Sequence, residues 1–340
     1  MEVGAGMATE PDFAANVRLA DAEAIAEAGR LLRQGRLVAF PTETVYGLGA
    51  DATNDDAVAA IFAAKGRPNF NPLIVHVADV DAAARLTELG PVALRLARAF
   101  WPGPLTLVAP RKGGAGVSAL ATAGLDTIAV RVPANPLAHA LLVAAGVPVA
   151  APSANRSGHV SPTLAAHVAA DLGDRVAMVL DGGATTHGLE STVVDVSGDR
   201  VTLLRLGSIT AQQLAAVTGQ DVQRATEAAV KDGIVAPQSP GQLLLHYAPR
   251  ARVRLNVTEP RPGEGFLAFG RIASEPRHDG PTINLSPAGD LTEAARALYA
   301  SLRSLDDAGV DSIAVMPIPH DGIGEAINDR LNRAAAPRVG

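Results

Sequence analysis

Apolar residues recur every three or four positions over residues 21–34, and this spacing predicts an amphipathic helix. An unbroken apolar run over 37–40 follows and stops at Pro41, which predicts a short buried strand. The polar, glycine-containing stretch 42–52 predicts a loop. Further helices are predicted over residues 55–65, 79–89, 91–100, 135–145, 163–170 and 209–218, and further strands over residues 73–77, 105–109, 127–131, 147–150, 176–180, 191–195 and 201–205.

The order of these elements indicates the fold class. Helices and strands are mixed without strict strand–helix–strand alternation, so residues 17–208 are predicted to form an α/β domain of the α+β kind, with helices around a mixed, twisted sheet. Residues 1–16 are predicted to be a leader. The sequence leaves open whether translation starts at Met1 or at Met7.

The pattern changes after Gly207. Residues 209–250 contain a short helix and then a polar tract with several prolines, so they are predicted to be a linker. Strand, helix, strand and helix patterns follow in that order over residues 265–269, 290–308, 312–316 and 324–335. They predict a small Rossmann-like accessory domain over 251–340, although this region has no Gly-x-Gly-x-x-Gly sequence.

The composition excludes several classes of function. The 340 residues contain no cysteine, which excludes disulfide frameworks, zinc ribbons, iron–sulfur clusters and cysteine nucleophiles. A formal net charge of −6 argues against a protein that binds nucleic acid over much of its surface, but it is compatible with a local basic cavity. The histidines are scattered singly, so we expect no metal site built from protein side chains. Without an apolar stretch of spanning length or a signal peptide, we expect a cytoplasmic protein with no membrane partner.

Five polar stretches carry candidate chemistry. Residues 41–49 place hydroxyls, a carboxylate and a phenol directly after a buried strand, which suits a small polar ligand. The two cations of 65–68 suit phosphates, and the small residues of 151–163 let backbone amides approach an anion. The others are 188–192, with Arg205 after it, and 239–249. Taken singly, each stretch also fits an ordinary turn, a helix C-terminal cation or a docked loop.

Together and in this order, the stretches resemble the YrdC/TsaC-like threonylcarbamoyl-AMP synthase family. The resemblance covers about residues 20–208, and the linker and residues 251–340 resemble the accessory part of the longer, two-domain members. It rests on Phe-Pro-Thr-Glu-Thr-Val-Tyr-Gly-Leu at 40–48, Lys-Gly-Arg-Pro at 65–68, Pro-Leu-Ile-Val-His at 72–76, Pro-Ser-Ala-Asn-x-Ser-Gly at 152–158, Ser-Pro-Gly at 239–241 and His-Tyr-Ala-Pro at 246–249.

The resemblance implies a nucleotidyltransferase that joins L-threonine, bicarbonate or CO₂, and ATP into threonylcarbamoyl-AMP and pyrophosphate. Mg²⁺ is implied to be held by phosphates and water, and the product to pass to a tRNA-modifying transferase complex. Lys65 and Arg67 are implied to be catalytic and to hold the ATP phosphates. The other ATP ligands implied are Asn71, Thr127, Ser153 or Asn155, Thr163, Arg205 and Tyr247. Tyr247 is implied to reach back from the linker and cover the nucleotide, which makes the linker 209–250 a lid. The threonine ligands implied are Thr44, His76, Arg131 and Ser191, with Arg131 on the carboxylate.

Two other functions stay open. One is a non-catalytic module that binds double-stranded RNA weakly, through the basic residues Arg30, Arg33, Arg36, Arg95 and Arg98, although solvated helix faces also explain these residues. The other is a scaffold subunit of the tRNA-modifying assembly, against which the Lys65 and Arg67 pair argues. A carbamoyltransferase of hydrogenase maturation has a similar domain, but it also has cysteine zinc fingers, which this chain lacks.

Overall fold

The computed structural model describes residues 16–68, 70–225, 247–272 and 278–337. Residues 1–15 of the predicted leader lie outside them, as do the Ser-Pro-Gly sequence 239–241 and His246 of the predicted linker. The described residues form a large mixed sheet flanked by helices and a second, smaller parallel sheet. The predicted mixed α/β class is therefore confirmed.

The larger sheet has eleven strands among the described residues. They are β1 (Val17–Leu19), β2 (Val38–Pro41), β3 (Tyr46–Asp51), β4 (Ile74–His76), β5 (Leu105–Pro110), β6 (Thr127–Arg131), β7 (Val149–Ala150), β8 (Met178–Asp181), β9 (Thr192–Asp195), β10 (Thr202–Arg205) and β11 (Gln223–Arg224). Their order is β1-β8-β2-β3-β7-β4-β6-β5-β9-β10-β11. The sheet combines parallel pairs such as β4 with β6 and antiparallel pairs such as β5 with β6.

Helices cover both faces of this sheet. They are α1 (Ala22–Arg33), α2 (Asp55–Lys65), α3 (Val80–Leu86), α4 (Pro91–Phe100), α5 (Pro136–Ala145), α6 (Ala165–Leu172) and α7 (Ala211–Thr218), with a 3₁₀ turn at Gly173–Arg175. Along β2, Val38 and Phe40 pack with α1 and α5, whereas Ala39 between them packs with the cluster that contains α2, α4 and α6. This alternation is what a strand with two buried faces requires.

The predicted loop over 42–52 is wrong, because residues 46–51 form β3. This strand pairs antiparallel with β2, with Phe40 opposite Gly47. Glycine weakens a strand pattern, and two glycines here concealed it. The structure gives their reason: a Cβ on Gly49 would lie 2.9 Å from the Phe40 ring and 3.0 Å from Val149. The glycines make room for the large aromatic ring of Phe40 within the sheet.

The C-terminal part is a separate parallel sheet with two helices. Its strands are β12 (Arg252–Arg254), β13 (Gly265–Ala268), β14 (Thr282–Asn284) and β15 (Ser312–Val315), in the order β12-β15-β13-β14, and its helices are α8 (Leu291–Asp307) and α9 (Gly324–Ala334). All three neighbouring pairs are parallel. The predicted strand–helix–strand–helix series is present, and β12 and β14 add an edge strand on each side. The division of the chain into domains at 208 and 250 stays a prediction.

The two parts share a hydrophobic cluster. Val45, Val160 and Leu189 of the first part pack with Tyr299 and Leu298 on α8 of the second. Gly188 approaches α8 so closely that a Cβ there would lie 2.5 Å from the Cα of Arg296. Within the described part of the chain, none of the helices has the length and apolar character to cross a bilayer.

Candidate active site

A cavity lies where several strand ends of the large sheet meet. β4 and β6 run parallel and end in register at His76 and Arg131. β9 begins beside the end of β6, because β5 pairs with both strands. β10 returns antiparallel to β9 and ends at Arg205. The lining residues are Thr42, Thr44, Val45, Gly47, Arg67, Ile74, His76, Arg131, Ala151, Pro152, Ser153, Glu190, Ser191, Arg205 and Tyr247.

All four residues predicted to bind threonine line this cavity. Arg131 is buried and donates through Nη1 to the Thr44 hydroxyl at 3.0 Å, through Nη2 to Glu43 at 2.5 Å, and through Nε to the Gly103 carbonyl at 3.2 Å. A guanidinium carries five N–H groups, and these contacts use three of them. Arg131 is therefore held in one orientation and still has donors for a ligand carboxylate.

Glu43 was not predicted as a site residue, although it lies inside the motif 40–48. Burial alone raises the pKa of this carboxyl, but the ion pair with Arg131 outweighs burial and the pKa is lowered. Glu43 is thus ionised and fixes the arginine that faces the cavity. Its Oε2 atom is buried without a hydrogen-bond partner among the described residues.

His76 is held as a neutral imidazole. It packs edge-on against Phe40, with 6.4 Å between ring centroids. Burial, and then the positive charge of Arg131, lower its pKa to about 3. Its Nδ1 atom has no hydrogen-bond partner among the described residues, so the ring has a polar atom left for a ligand.

Ser191 links the predicted threonine ligands to a predicted ATP ligand. Its hydroxyl lies 2.7 Å from the Thr106 hydroxyl, and the Nη2 atom of Arg205 donates to it at 2.9 Å. Arg205 also donates through Nε to the Ser191 carbonyl at 3.0 Å. Residues predicted to hold two different molecules are therefore in direct contact.

The end of α2 places Arg67 in the lining of the cavity, and Lys65 lies outside the lining but contacts Ser153, which belongs to it. Gly66 caps this helix with a φ of 61°, a conformation that glycine adopts without strain, and the chain then turns to present Arg67. The Lys65 ammonium donates to the carbonyls of Ser153 and Asn155, at 2.5 Å each. The Arg67 Nη2 atom donates to the Pro72 carbonyl at 3.2 Å, and its Nε atom has no partner among the described residues.

Both cations are buried without a counterion. Among the described residues, neither has a carboxylate oxygen within the 4.0 Å of a salt bridge. Burial lowers the pKa of Lys65 well below its ordinary value, with a further contribution from Arg67. Burial likewise lowers the pKa of Arg67 to about 10. A buried cation that lacks an anion is costly, so this arrangement favours a negatively charged ligand.

The other predicted ATP ligands have three different placements. Ser153, Arg205 and Tyr247 line the cavity. Asn71, Asn155 and Thr163 are buried near it, and each has a side-chain polar atom without a hydrogen-bond partner among the described residues. Thr127 is placed differently. It begins β6, opposite Pro110, and lies at the far end of that strand from Arg131.

Tyr247 comes from the second part of the chain and closes one wall of the cavity. Its side chain is only 1% exposed, and its backbone has a φ of 63°. Its ring stacks on that of Tyr299 with 5.7 Å between centroids, and the Arg330 guanidinium lies 5.0 Å from the centroid of the Tyr247 ring. The prediction that a linker tyrosine covers the nucleotide is compatible with this position but stays a prediction.

Sequence reasoning missed Glu190 and its partners. Glu190 lines the cavity and accepts hydrogen bonds from Ser161 at 2.6 Å, Tyr299 at 2.9 Å and Arg330 at 2.8 Å. Burial opposes its ionisation, yet the positive charges of Arg330 and Arg205 lower its pKa to about 2. Glu190 lay inside the stretch 188–192 that the sequence singled out, whereas nothing in the sequence connected it with α8 and α9.

These features define a class of protein: a two-part α/β protein whose cavity combines a fixed arginine with buried, uncompensated cations. Residues 30–207 match the Sua5/YciO/YrdC family, described as "Telomere recombination". Residues 209–336 match the family described as "Threonylcarbamoyl-AMP synthase, C-terminal domain". The chain belongs to the Sua5/YciO/YrdC family, in its two-domain form. The resemblance found from the sequence is therefore confirmed.

The similar proteins span nearly the whole chain. A threonylcarbamoyl-AMP synthase of Bacillus subtilis is 44% identical, with 93% of this chain and 94% of that protein covered. One from Pyrococcus abyssi is 39% identical, with 92% and 94% covered. The crystal structure of P. abyssi Sua5 complexed with L-threonine superposes with a TM-score of 0.84 at 37% identity, and covers 94% of this chain and 96% of that one.

Proposed function

We propose that this protein is an L-threonylcarbamoyladenylate synthase. It is a nucleotidyltransferase that converts L-threonine, bicarbonate or CO₂, and ATP into threonylcarbamoyl-AMP and pyrophosphate. The product serves the threonylcarbamoyladenosine modification of tRNA, through a partner transferase complex. The names of the full-length relatives support this proposal, as does the threonine complex of the P. abyssi protein.

The observation that carries the proposal is the contact between the two predicted subsites. Arg131, Thr44, His76 and Ser191 offer donors for a small amino acid, and Lys65 and Arg67 offer buried positive charge for a polyphosphate. The bond from Arg205 to the Ser191 hydroxyl, 2.9 Å long, joins the two groups. Such proximity turns a reaction between two molecules into a step within one complex.

The side chains suit the chemistry of this reaction. Arg131 would hold the carboxylate of threonine, which leaves its amine to add to CO₂ and form a carbamate with loss of one proton. A carbamate oxygen then bonds to the α-phosphorus while the bond from that phosphorus to the bridging oxygen breaks, and pyrophosphate leaves. Lys65 and Arg67 would stabilise the negative charge of the transferred group and of the leaving group.

The described residues contain no cluster of three or more acidic or histidine side chains that could hold a metal. The side chains in that part of the chain therefore do not form a dedicated metal centre. We propose that Mg²⁺ accompanies the phosphates of ATP.

The decisive experiment measures pyrophosphate release by the purified full chain. Release is expected only when ATP, L-threonine and bicarbonate are all present, and it should need no RNA. Mass spectrometry should then detect threonylcarbamoyl-AMP. Omission of each substrate in turn and replacement of L-threonine by D-threonine are the matched controls. An RNA-binding module or a scaffold would release no pyrophosphate under any of these conditions.

A further inference from the structure

Arg330 on α9 is the most deeply buried charged residue of the C-terminal part, and its side chain is fully shielded from solvent. Its Nε atom donates to Glu190 at 2.8 Å, and its Nη2 atom donates to the Leu206 carbonyl at 2.8 Å. Asp329, its neighbour on α9, accepts from Nη1 at 2.5 Å. A single side chain of the second part thus contacts two separate segments of the first.

Those two segments directly adjoin the site. Glu190 precedes Ser191, and Leu206 follows Arg205. Ser191 and Arg205 are themselves hydrogen-bonded across the start of β9 and the end of β10. Arg330 therefore forms hydrogen bonds to the two residues that adjoin the Ser191–Arg205 contact, one on each strand end. The same guanidinium lies over the ring of Tyr247, which is a third cavity wall.

We propose that Arg330 is a positioning residue, through which the C-terminal part fixes Ser191, Arg205 and Tyr247 in the geometry that the reaction needs. This inference rests on the proposed function and deepens it. It makes α9 part of the machinery of the site, although α9 itself lines none of the described cavity. Tyr299 on α8 assists, since its hydroxyl donates to the same Glu190 carboxylate at 2.9 Å.

Stabilisation of the interface between the two parts is a poor explanation of the ion pair between Arg330 and Glu190. Burial of an ion pair removes two charges from water, and replacement by apolar residues is often neutral or stabilising, so a buried pair is weak evidence for a stability role. The described interface also has a more exposed pair, Arg224 with Glu325 at 2.6 Å, which joins the two parts without contact with the site. Only the buried pair reaches the residues beside Ser191 and Arg205.

The test is Arg330→Lys in the full chain. Lysine keeps the positive charge beside Glu190, so the carboxylate is not left uncompensated. A single ammonium nitrogen, however, cannot occupy both the Nε and the Nη2 positions, so the link between Glu190 and Leu206 is lost. The matched control is Glu325→Gln, which removes the more exposed interdomain pair from the same helix.

We expect Arg330→Lys to melt within a few degrees of the wild type, because charge balance is retained. Its turnover should fall at least about tenfold, and its KM values for threonine and ATP should both rise at least about threefold, because ligands of both molecules lose their fixed positions. Glu325→Gln should match the wild type in all three constants.

A second variant covers the case in which the lysine is accommodated poorly. Glu190→Gln with Arg330→Gln removes both charges of the pair, so neither partner is left as an unpaired ion and the fold is expected to persist. If either folded variant has wild-type turnover and wild-type KM values, or if only the melting temperature changes, Arg330 is a structural contact and the inference is overturned. Absence of pyrophosphate release by the wild type would instead refute the proposed function, and calorimetric affinities for threonine and ATP then test Arg330 separately.

Discussion

Substitution of one glycine tests whether close contact between the two parts supports the site. Gly188 lies in the loop before Glu190, and α8 packs directly on it. A Cβ at this position would lie 2.5 Å from the Cα of Arg296 and 2.6 Å from the Ala295 carbonyl oxygen. Gly183, in the same loop, has nearly the same φ, 76° against 75°, but a Cβ there meets nothing within 4 Å. Gly183→Ala is therefore a control for backbone strain alone.

The size of the effect follows from these distances. Ordinary contact begins at 3.4 Å, so α8 must retreat by about 0.9 Å to accept alanine at Gly188. Tyr299 lies one turn along α8, and its hydroxyl bond to Glu190 is 2.9 Å long. The same retreat lengthens this bond to about 3.8 Å, beyond hydrogen-bond range. Both variants bear about 1–2 kcal/mol of left-handed strain, but only Gly188→Ala adds overpacking of about 1–3 kcal/mol.

The assay compares pyrophosphate release by the two variants at equal folded concentration, with stability measured by urea denaturation. Gly188→Ala should lose between about tenfold and a hundredfold in turnover, because a displacement of about 1 Å near reacting groups has that effect. Gly183→Ala should lose stability but keep its turnover within about threefold of the wild type. Equal turnover in the two variants would show that the contact of α8 with this loop does not influence the site.

The remaining predictions concern the cavity itself. Lys65→Ala and Arg67→Ala should each lower turnover at least about tenfold, because each removes charge that would stabilise the transferred phosphate. The control is Lys112→Ala, at an exposed lysine. Unchanged turnover in both cavity variants would contradict the phosphate site. Arg131→Lys keeps a charge beside Glu43 but loses the fork, so the KM for threonine should rise far more than the KM for ATP; equal changes would contradict a carboxylate role. His76→Gln should flatten the acid side of the stability curve. The pKa of His76 is about 3 in the folded chain against 6.5 ordinarily, so the unfolded state binds the extra proton and the wild type loses stability as pH falls from 6.5 towards 3. Between pH 6.5 and pH 5 the variant should lose about 1–2 kcal/mol less than the wild type in urea denaturation, and identical slopes would mean that His76 is not buried as a neutral ring.

Elements with a full hydrophobic period could be predicted from the sequence, and short strands at the sheet edges could not. The spacing of apolar residues located α8, with its 17 residues, and the six-residue strand β5. Strands β1, β12 and β14 have three residues each and lie at sheet edges, so their patterns are too short to stand out and only pairing with a neighbour defines them. Strand β3 was missed for another reason. Its glycines interrupt the strand pattern in the sequence, and they are there because the Phe40 ring packs against them in the sheet.

In the site, too, residues within a local motif could be predicted, whereas contacts between residues far apart in the sequence could not. Lys65 and Arg67 could be selected because two cations around a helix-ending glycine form a local motif. Glu190 could not be connected with Arg330, because 140 residues separate them and their contact exists only once both parts are folded. Glu43 lay in a selected motif, but its role became visible only through Arg131, which arrives from another strand.

The distribution of buried countercharges distinguishes the two subsites more sharply than residue type does. Arg131 faces Glu43, and Arg330 faces Glu190, so each of these cations is balanced within the protein. Lys65 and Arg67 are equally buried but have no carboxylate partner among the described residues. Since an unbalanced buried ion costs several kcal/mol, the two unbalanced cations mark where a strongly negative group would stabilise the folded protein most. A zwitterionic amino acid brings no net charge and suits the balanced arginine, whereas a triphosphate suits the unbalanced pair. We therefore expect the triphosphate to bind at Lys65 and Arg67 and the amino acid at Arg131, an expectation that rests on charge and not on a sequence motif.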